Sequence, residues 1–90
     1  MRPSAAIFIP EQAVFQILGF DRLRFVSDVM DAIPQDGRCR LANVCFEADG
    51  IRATGRLTVQ ADNRQCFSQI DRRLRTIRGL VCVTQFSEVP

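Results

Sequence analysis

Ninety residues, 47% hydrophobic and 24% charged, leave room for one domain around one core. Trp, Tyr, His and Lys are absent, so all 12 basic groups are Arg; against 10 acidic groups they give a net charge of +2, too mild to point to nucleic acid. The missing residues exclude an imidazole base, a Ser-His or Cys-His nucleophile pair, a mixed Cys/His zinc site, a Schiff-base lysine and a phosphate-loop lysine. Any enzyme left would run on carboxylates, arginines, thiols or amides.

Residues 1 to 13 read as an N-terminal extension. Its apolar run Ala5–Ile9, closed by Pro10, is shorter than the ~7 apolar residues of a secretory signal. Nothing approaches the ~20 apolar residues of a membrane span, so the expectation is a cytoplasmic protein without membrane contact. Val14–Gly19 alternates as a strand, with Phe15 and Ile17 on one face and Gln16 and Leu18 on the other. After Asp21 the four-residue recurrence of Phe25, Val29 and Ile33, widened by Val26 and Met30, predicts a helix that Pro34 and the following turn residues end. Cys39–Ala48 and Ile51–Gln60 alternate on either side of Asp49-Gly50, which predicts a hairpin with a type I′ turn. Ala42, Val44, Phe46 and Ala48 would share the covered face with Ile51, Ala53, Gly55, Leu57 and Val59. A second helix, capped by Asp62 or Asn63, carries Phe67, Ile70, Leu74 and Ile77 on one side and stops at Gly79. Leu80–Phe86 closes the chain as a strand.

Strand, helix, strand, strand, helix, strand is the α+β, ferredoxin-like βαββαβ pattern. Residues 14 to 90 would form a four-stranded antiparallel sheet of order 4-1-3-2 with both helices on one face. Cys39, Cys45, Cys66 and Cys82 include no C-x-x-C pair and read as free, buried thiols with no metal to hold. The uncovered sheet face would carry Gln16, Leu18, Leu41, Asn43, Cys45, Arg52, Thr54, Arg56 and Thr58, a surface too apolar in places to face only water. It is the expected interface of a homodimer, for which Leu18, Leu41, Asn43, Cys45, Arg52, Thr54 and Arg56 are the candidate residues.

This fold hosts unrelated functions, so individual residues must choose among them. Acylphosphatases place an Arg after the first strand and an Asn on the second, and Arg22, Arg24 and Asn43 occupy comparable places. Their phosphate-cradling glycine loop is missing, because Gly19 stands alone. RNA-recognition domains stack bases on central-strand aromatics, whereas IRATGRLTV offers none, which argues against nucleic acid.

Two segments, ILGFDRLRFVSDVMDAI (Ile17–Ile33) and LTVQADNRQCFSQIDRRLRTIRGLVCVTQ (Leu57–Gln85), resemble ACT domains. The likeness is greatest to the C-terminal ACT domain of RelA/SpoT-type guanosine polyphosphate synthetase/hydrolases, whose second helix closes on a pattern matched here by Leu74-Arg75-Thr76-Ile77-Arg78-Gly79-Leu80. The small regulatory subunit of acetohydroxyacid synthase is similar more faintly. The resemblance implies a non-catalytic regulatory domain, without cofactor, that dimerises and senses an amino-acid-like effector. An effector would lie among Phe20, Asp21, Arg22 and Arg24, with Asp21 on its ammonium and the helix start on its carboxylate. Effector-binding members keep a glycine where this chain has Arg24, whose guanidinium could fill the pocket or pair with the carboxylate. On the second helix Arg72 and Arg75 would point outward and Arg78 flank the stripe, which suits a solvated face, or contact with a larger enzyme or the ribosome, which the resemblance allows. A structural interaction module without ligand and an acylphosphatase-like hydrolase are the alternatives.

Overall fold

A computed structural model describes residues 11–34, 37, 39–62 and 64–88. The elements are β1 (Glu11–Phe20), α1 (Phe25–Asp31), β2 (Cys39–Ala48), β3 (Arg52–Ala61), α2 (Gln65–Leu74) and β4 (Leu80–Glu88). Every neighbouring pair of strands is antiparallel and their order is β2-β3-β1-β4, the expected arrangement seen from its other edge. The ferredoxin-like α+β class is thus the observed one. The expected edge run Ala5–Ile9 lies outside the described residues.

Period-2 alternation decides which side of the sheet is covered. Ala13, Phe15 and Ile17 of β1 and Ala53, Leu57, Val59 and Ala61 of β3 bury against Phe25 and Val29 of α1 and Phe67, Ile70 and Leu74 of α2, in one apolar cluster. Phe15 and Phe67 meet edge to face, ring centroids 6.4 Å apart. Burial of side chains this size contributes ~1.5–3 kcal/mol each, which is why both short helices stay on the sheet.

Several local expectations are corrected. The only positive φ in the hairpin turn is at Gly50, 92°, and Ala48 pairs with Ala53, so the loop is centred on Gly50-Ile51 rather than on Asp49-Gly50. Asp49 instead accepts the Ile51 and Arg52 N–H groups on Oδ1 at 2.9 and 2.7 Å, and those bonds hold its carboxyl below the usual range. Ile51, expected in the core, is therefore an exposed turn residue. Pairing shifted by two residues leaves the strand faces unchanged, but Ala42 is an extra residue between the Leu41–Val59 and Asn43–Thr58 pairs. This bulge reverses the parity of what precedes it. Ala42 is exposed, and Leu41, expected on the open face, lies on the covered side and packs on the core.

The helices are shorter than their apolar stripes. Arg24 adopts a left-handed backbone, φ 70°, that prevents the helix from continuing back to Asp21, and it leaves Val26 exposed. α2 ends at Leu74; Ile77 still packs on the core from the turn that reaches Gly79, where φ is 87°. Arg64, without a side-chain cap bond, holds the N-cap position expected of Asp62, and Asn63 is outside the described residues. Of the four thiols, Cys39 and Cys66 are buried, but Cys45 and Cys82 are exposed, because their strand parity places them on the open face.

Candidate functional site

The expected effector loop sits where three connections meet at one end of the sheet. Phe20 N–H donates to Gly79 O at 2.9 Å, and Asp21 N–H donates to Ile51 O at 3.0 Å. The Asp21 carboxylate accepts the Gly50 N–H at 3.0 Å, tying the loop to the hairpin turn. Arg22 donates from Nε to Arg78 O, from Nη1 to Leu23 O and from Nη2 to Asp28 Oδ2, each at 2.8 Å. Its guanidinium carbon also lies 5.8 Å from the Phe25 ring centroid. Phe20, Asp21, Arg22 and Arg24 are thus brought together, but Asp21 and Arg22 are spent on holding the loops. The Arg24 side chain is exposed and makes no hydrogen bond or ion pair among the described residues. Its spacing from Arg22 was legible; Asp28 as Arg22's partner was not, because the turn between them breaks helical periodicity.

Arg24 occupies backbone space that favours glycine, at a cost of ~1–2 kcal/mol for an L residue. Arg24→Gly is accordingly expected to raise stability by up to ~1 kcal/mol, offset in part by the greater freedom of glycine in the unfolded chain, and a denaturant midpoint checks it.

The second region is the open sheet face. Cys45, Arg56, Gln16 and Thr84 form one row across the four strands, and Glu47, Thr54, Leu18 and Cys82 the next. These side chains line a shallow apolar-floored concavity. Arg56 makes no ion pair among the described residues, although Glu47 lies one row away. Leu18, Asn43, Cys45, Arg52, Thr54 and Arg56 do share this face; Leu41 does not. Thr84 and Cys82 were missed, although the parity of Leu80–Phe86 pairs them with Gln16 and Leu18. At the far end, a guanidinium and two amides close the rows: Arg40 Nη2 donates to Gln60 Oε1 at 3.4 Å and Gln60 Nε2 to Gln12 Oε1 at 3.0 Å.

The acylphosphatase-like trio is not assembled. Asn43 is opposite Thr58, whereas Arg22 and Arg24 follow Phe20, which is opposite Arg52; at ~3.3 Å per residue the two levels are about 20 Å apart along β3. Among the described residues no group of three or more acidic or Cys side chains could hold a metal ion, and no helix is long and apolar enough to cross a membrane. On α2, Arg72 and Arg73 are exposed, while Arg75 donates to Asp71 at 2.9 Å, which raises its pKa further.

The backbone path has well-defined counterparts. The ACT domain from the GTP pyrophosphokinase of Chlorobium tepidum matches with a TM-score of 0.76 over 87% of this chain and 100% of its own, at 17% sequence identity. The fold is that of an ACT domain. A putative glycine cleavage system transcriptional repressor matches with a TM-score of 0.75 at 15% identity, over 92% of this chain and 48% of that one. The regulatory subunit of aspartate kinase from Thermus thermophilus, in ligand-free form, gives 0.61 at 17% identity over 87% and 52%. No protein-family model and no curated protein matches the sequence. Within the ACT fold, the loop of Phe20–Arg24 and the open face of the sheet are the two surfaces that this chain's residues make chemically distinctive.

Proposed function

We propose that this ACT-fold domain is a non-catalytic regulatory module that acts by pairing with a second copy through its open sheet face. The observation that carries the reading is that face itself: Cys45 and Cys82 expose thiol surface beside half-buried Leu18 and an unpaired Arg56, with nothing of the chain's described residues packed over them. Covering such a surface favours association. Sedimentation equilibrium at tens of micromolar is expected to return twice the 10.2 kDa chain mass, and Leu18→Glu with Thr54→Glu to return the monomer. A wild-type chain that sediments as a monomer defeats the proposal.

A second reading, an amino-acid-like effector at the loop, is supported by one observation: the Arg24 guanidinium is free to meet a carboxylate beside the exposed Phe20. A ligand that binds only the native state raises the melting temperature, by the equivalent of ~2.7 kcal/mol at a hundred times its dissociation constant, so a thermal-shift screen of the twenty amino acids tests it. A shift abolished by Arg24→Gln supports an effector site. No shift in a protein that still dimerises supports the interaction module, acting on a larger enzyme or assembly.

A further inference from the structure

We infer that the loop end of the sheet is a docking surface for a short apolar segment of a partner protein that carries Asp or Glu. This goes beyond self-association and uses the loop end of the sheet, which meets the open face at Arg52. Leu23 is 88% exposed, Ile51 70%, Val81 57% and Phe20 56%. Single exposed apolar side chains are ordinary, but the backbone brings the segments that carry these four to one end of the sheet. Asp21 N–H bonds Ile51 O, Phe20 N–H bonds Gly79 O, and Gly19 is opposite Leu80 with Val81 the extra residue of a bulge.

The patch is pre-formed. Arg22 clamps the loop through Arg78 O, Leu23 O and Asp28, and Asp21 holds the hairpin turn, so little ordering is needed on binding. The left-handed backbone at Arg24, next to the most exposed apolar residue, is the kind of strain that persists where a surface has a use.

The rim identifies the occupant. Arg52 stands opposite Phe20, Arg24 follows Leu23, and Arg78 precedes Gly79; all three are exposed and none is ion-paired among the described residues. Of the neighbouring carboxylates, Asp28 is paired with Arg22, Asp49 accepts two backbone N–H groups and feels the Arg52 charge, and Asp21 accepts the Gly50 N–H, so Arg24 and Arg78 are the rim cations left without a carboxylate of their own. An apolar surface with free guanidinium groups at its rim fits an acidic, apolar peptide. A second copy would bring the same surplus of arginine to the contact and no further carboxylate to meet it, and an anionic membrane asks for clusters of 4–8 basic residues.

Selection of a random dodecapeptide library against the full chain tests this. The expected winners combine Leu, Ile or Phe with Asp or Glu, bind more weakly as salt rises, and lose at least tenfold in affinity for a Leu23→Ser/Ile51→Thr variant. Both positions are exposed, so that variant should melt with the wild type, which confirms that it folds. Arg24→Gln with Arg52→Gln should weaken binding and flatten its salt dependence. The inference is overturned if no acidic-apolar consensus emerges or if the winners bind the Leu23→Ser/Ile51→Thr variant within twofold. It is equally overturned if that variant dissociates a dimer in the centrifuge, which makes the patch a contact between copies, or if the chain pellets with phosphatidylserine vesicles in a Leu23-dependent way.

Discussion

Replacing Gly19 with valine is expected to lower the free energy of unfolding by about 3 kcal/mol, measured as a displaced urea midpoint. Gly19 pairs with Leu80 immediately beyond the β1–β4 bulge. A Cβ built there would lie 2.4 and 2.6 Å from Phe25 Cζ and Cε1, and 3.0 Å from Gly79 O. The ring cannot simply swing away, because Phe25 is buried in the core cluster at the start of α1 and the Arg22 guanidinium lies against it. The carbonyl cannot yield either, since it accepts the Phe20 N–H that joins the β1–α1 loop to β4. Alanine should cost less than valine for the same reason. Shortening the obstacle should relieve it: Gly19→Ala combined with Phe25→Leu is expected to be less destabilised than the sum of the two, by ~1 kcal/mol. A Gly19→Val protein within ~0.5 kcal/mol of wild type would show that the close approach of ring and strand is wrong.

Arg22→Ala is expected to cost about 2 kcal/mol, the next largest effect. Its three donated bonds link the β1–α1 loop to the α2–β4 junction and to α1, and hydrogen bonds from a charged donor contribute ~1.5–3 kcal/mol apiece when buried. The Arg22 side chain is 26% exposed and its Asp28 partner 35%, so solvent discounts the ion pair and the sum falls well below three full bonds. Lysine should recover little, because one ammonium cannot satisfy three acceptors in the plane of a guanidinium and also cover the Phe25 ring. Asp28→Asn should fall between wild type and Arg22→Ala. Amide hydrogen exchange separates this from a general loss of stability: Phe20 and Asp21, whose N–H groups bond across the junctions, should lose protection before Leu57 or Val59 at the sheet centre. Equal protection in both places would remove the clamp from the account.

The loop in which the sequence places an effector pocket is two things at once. Half of its residues, Asp21 and Arg22, hold the fold together, and the other half, Phe20 and Arg24 with the neighbouring Leu23, face outward. Sequence spacing could name the group but not divide it. Whether Arg22 turns inward depends on where Arg78 O and Asp28 lie, and those come from the α2–β4 junction, 56 residues away, and from a helix start displaced by one left-handed residue.

Much was determined by the sequence alone. Alternation of Phe15 and Ile17, and of Ala53, Leu57 and Val59, with the stripe of Phe67, Ile70 and Leu74, assigned the elements and their covered faces, because period and polarity are local properties that burial reads directly. The order of elements and the handedness of crossovers then left the βαββαβ sheet as the choice. Only the tertiary structure decided the Gly50-Ile51 turn and the Ala42 bulge that carries Leu41 to the core side. Each depends on register, and register is set by how β2 fits against β3, a sum over distant contacts to which no single stretch of residues holds the answer.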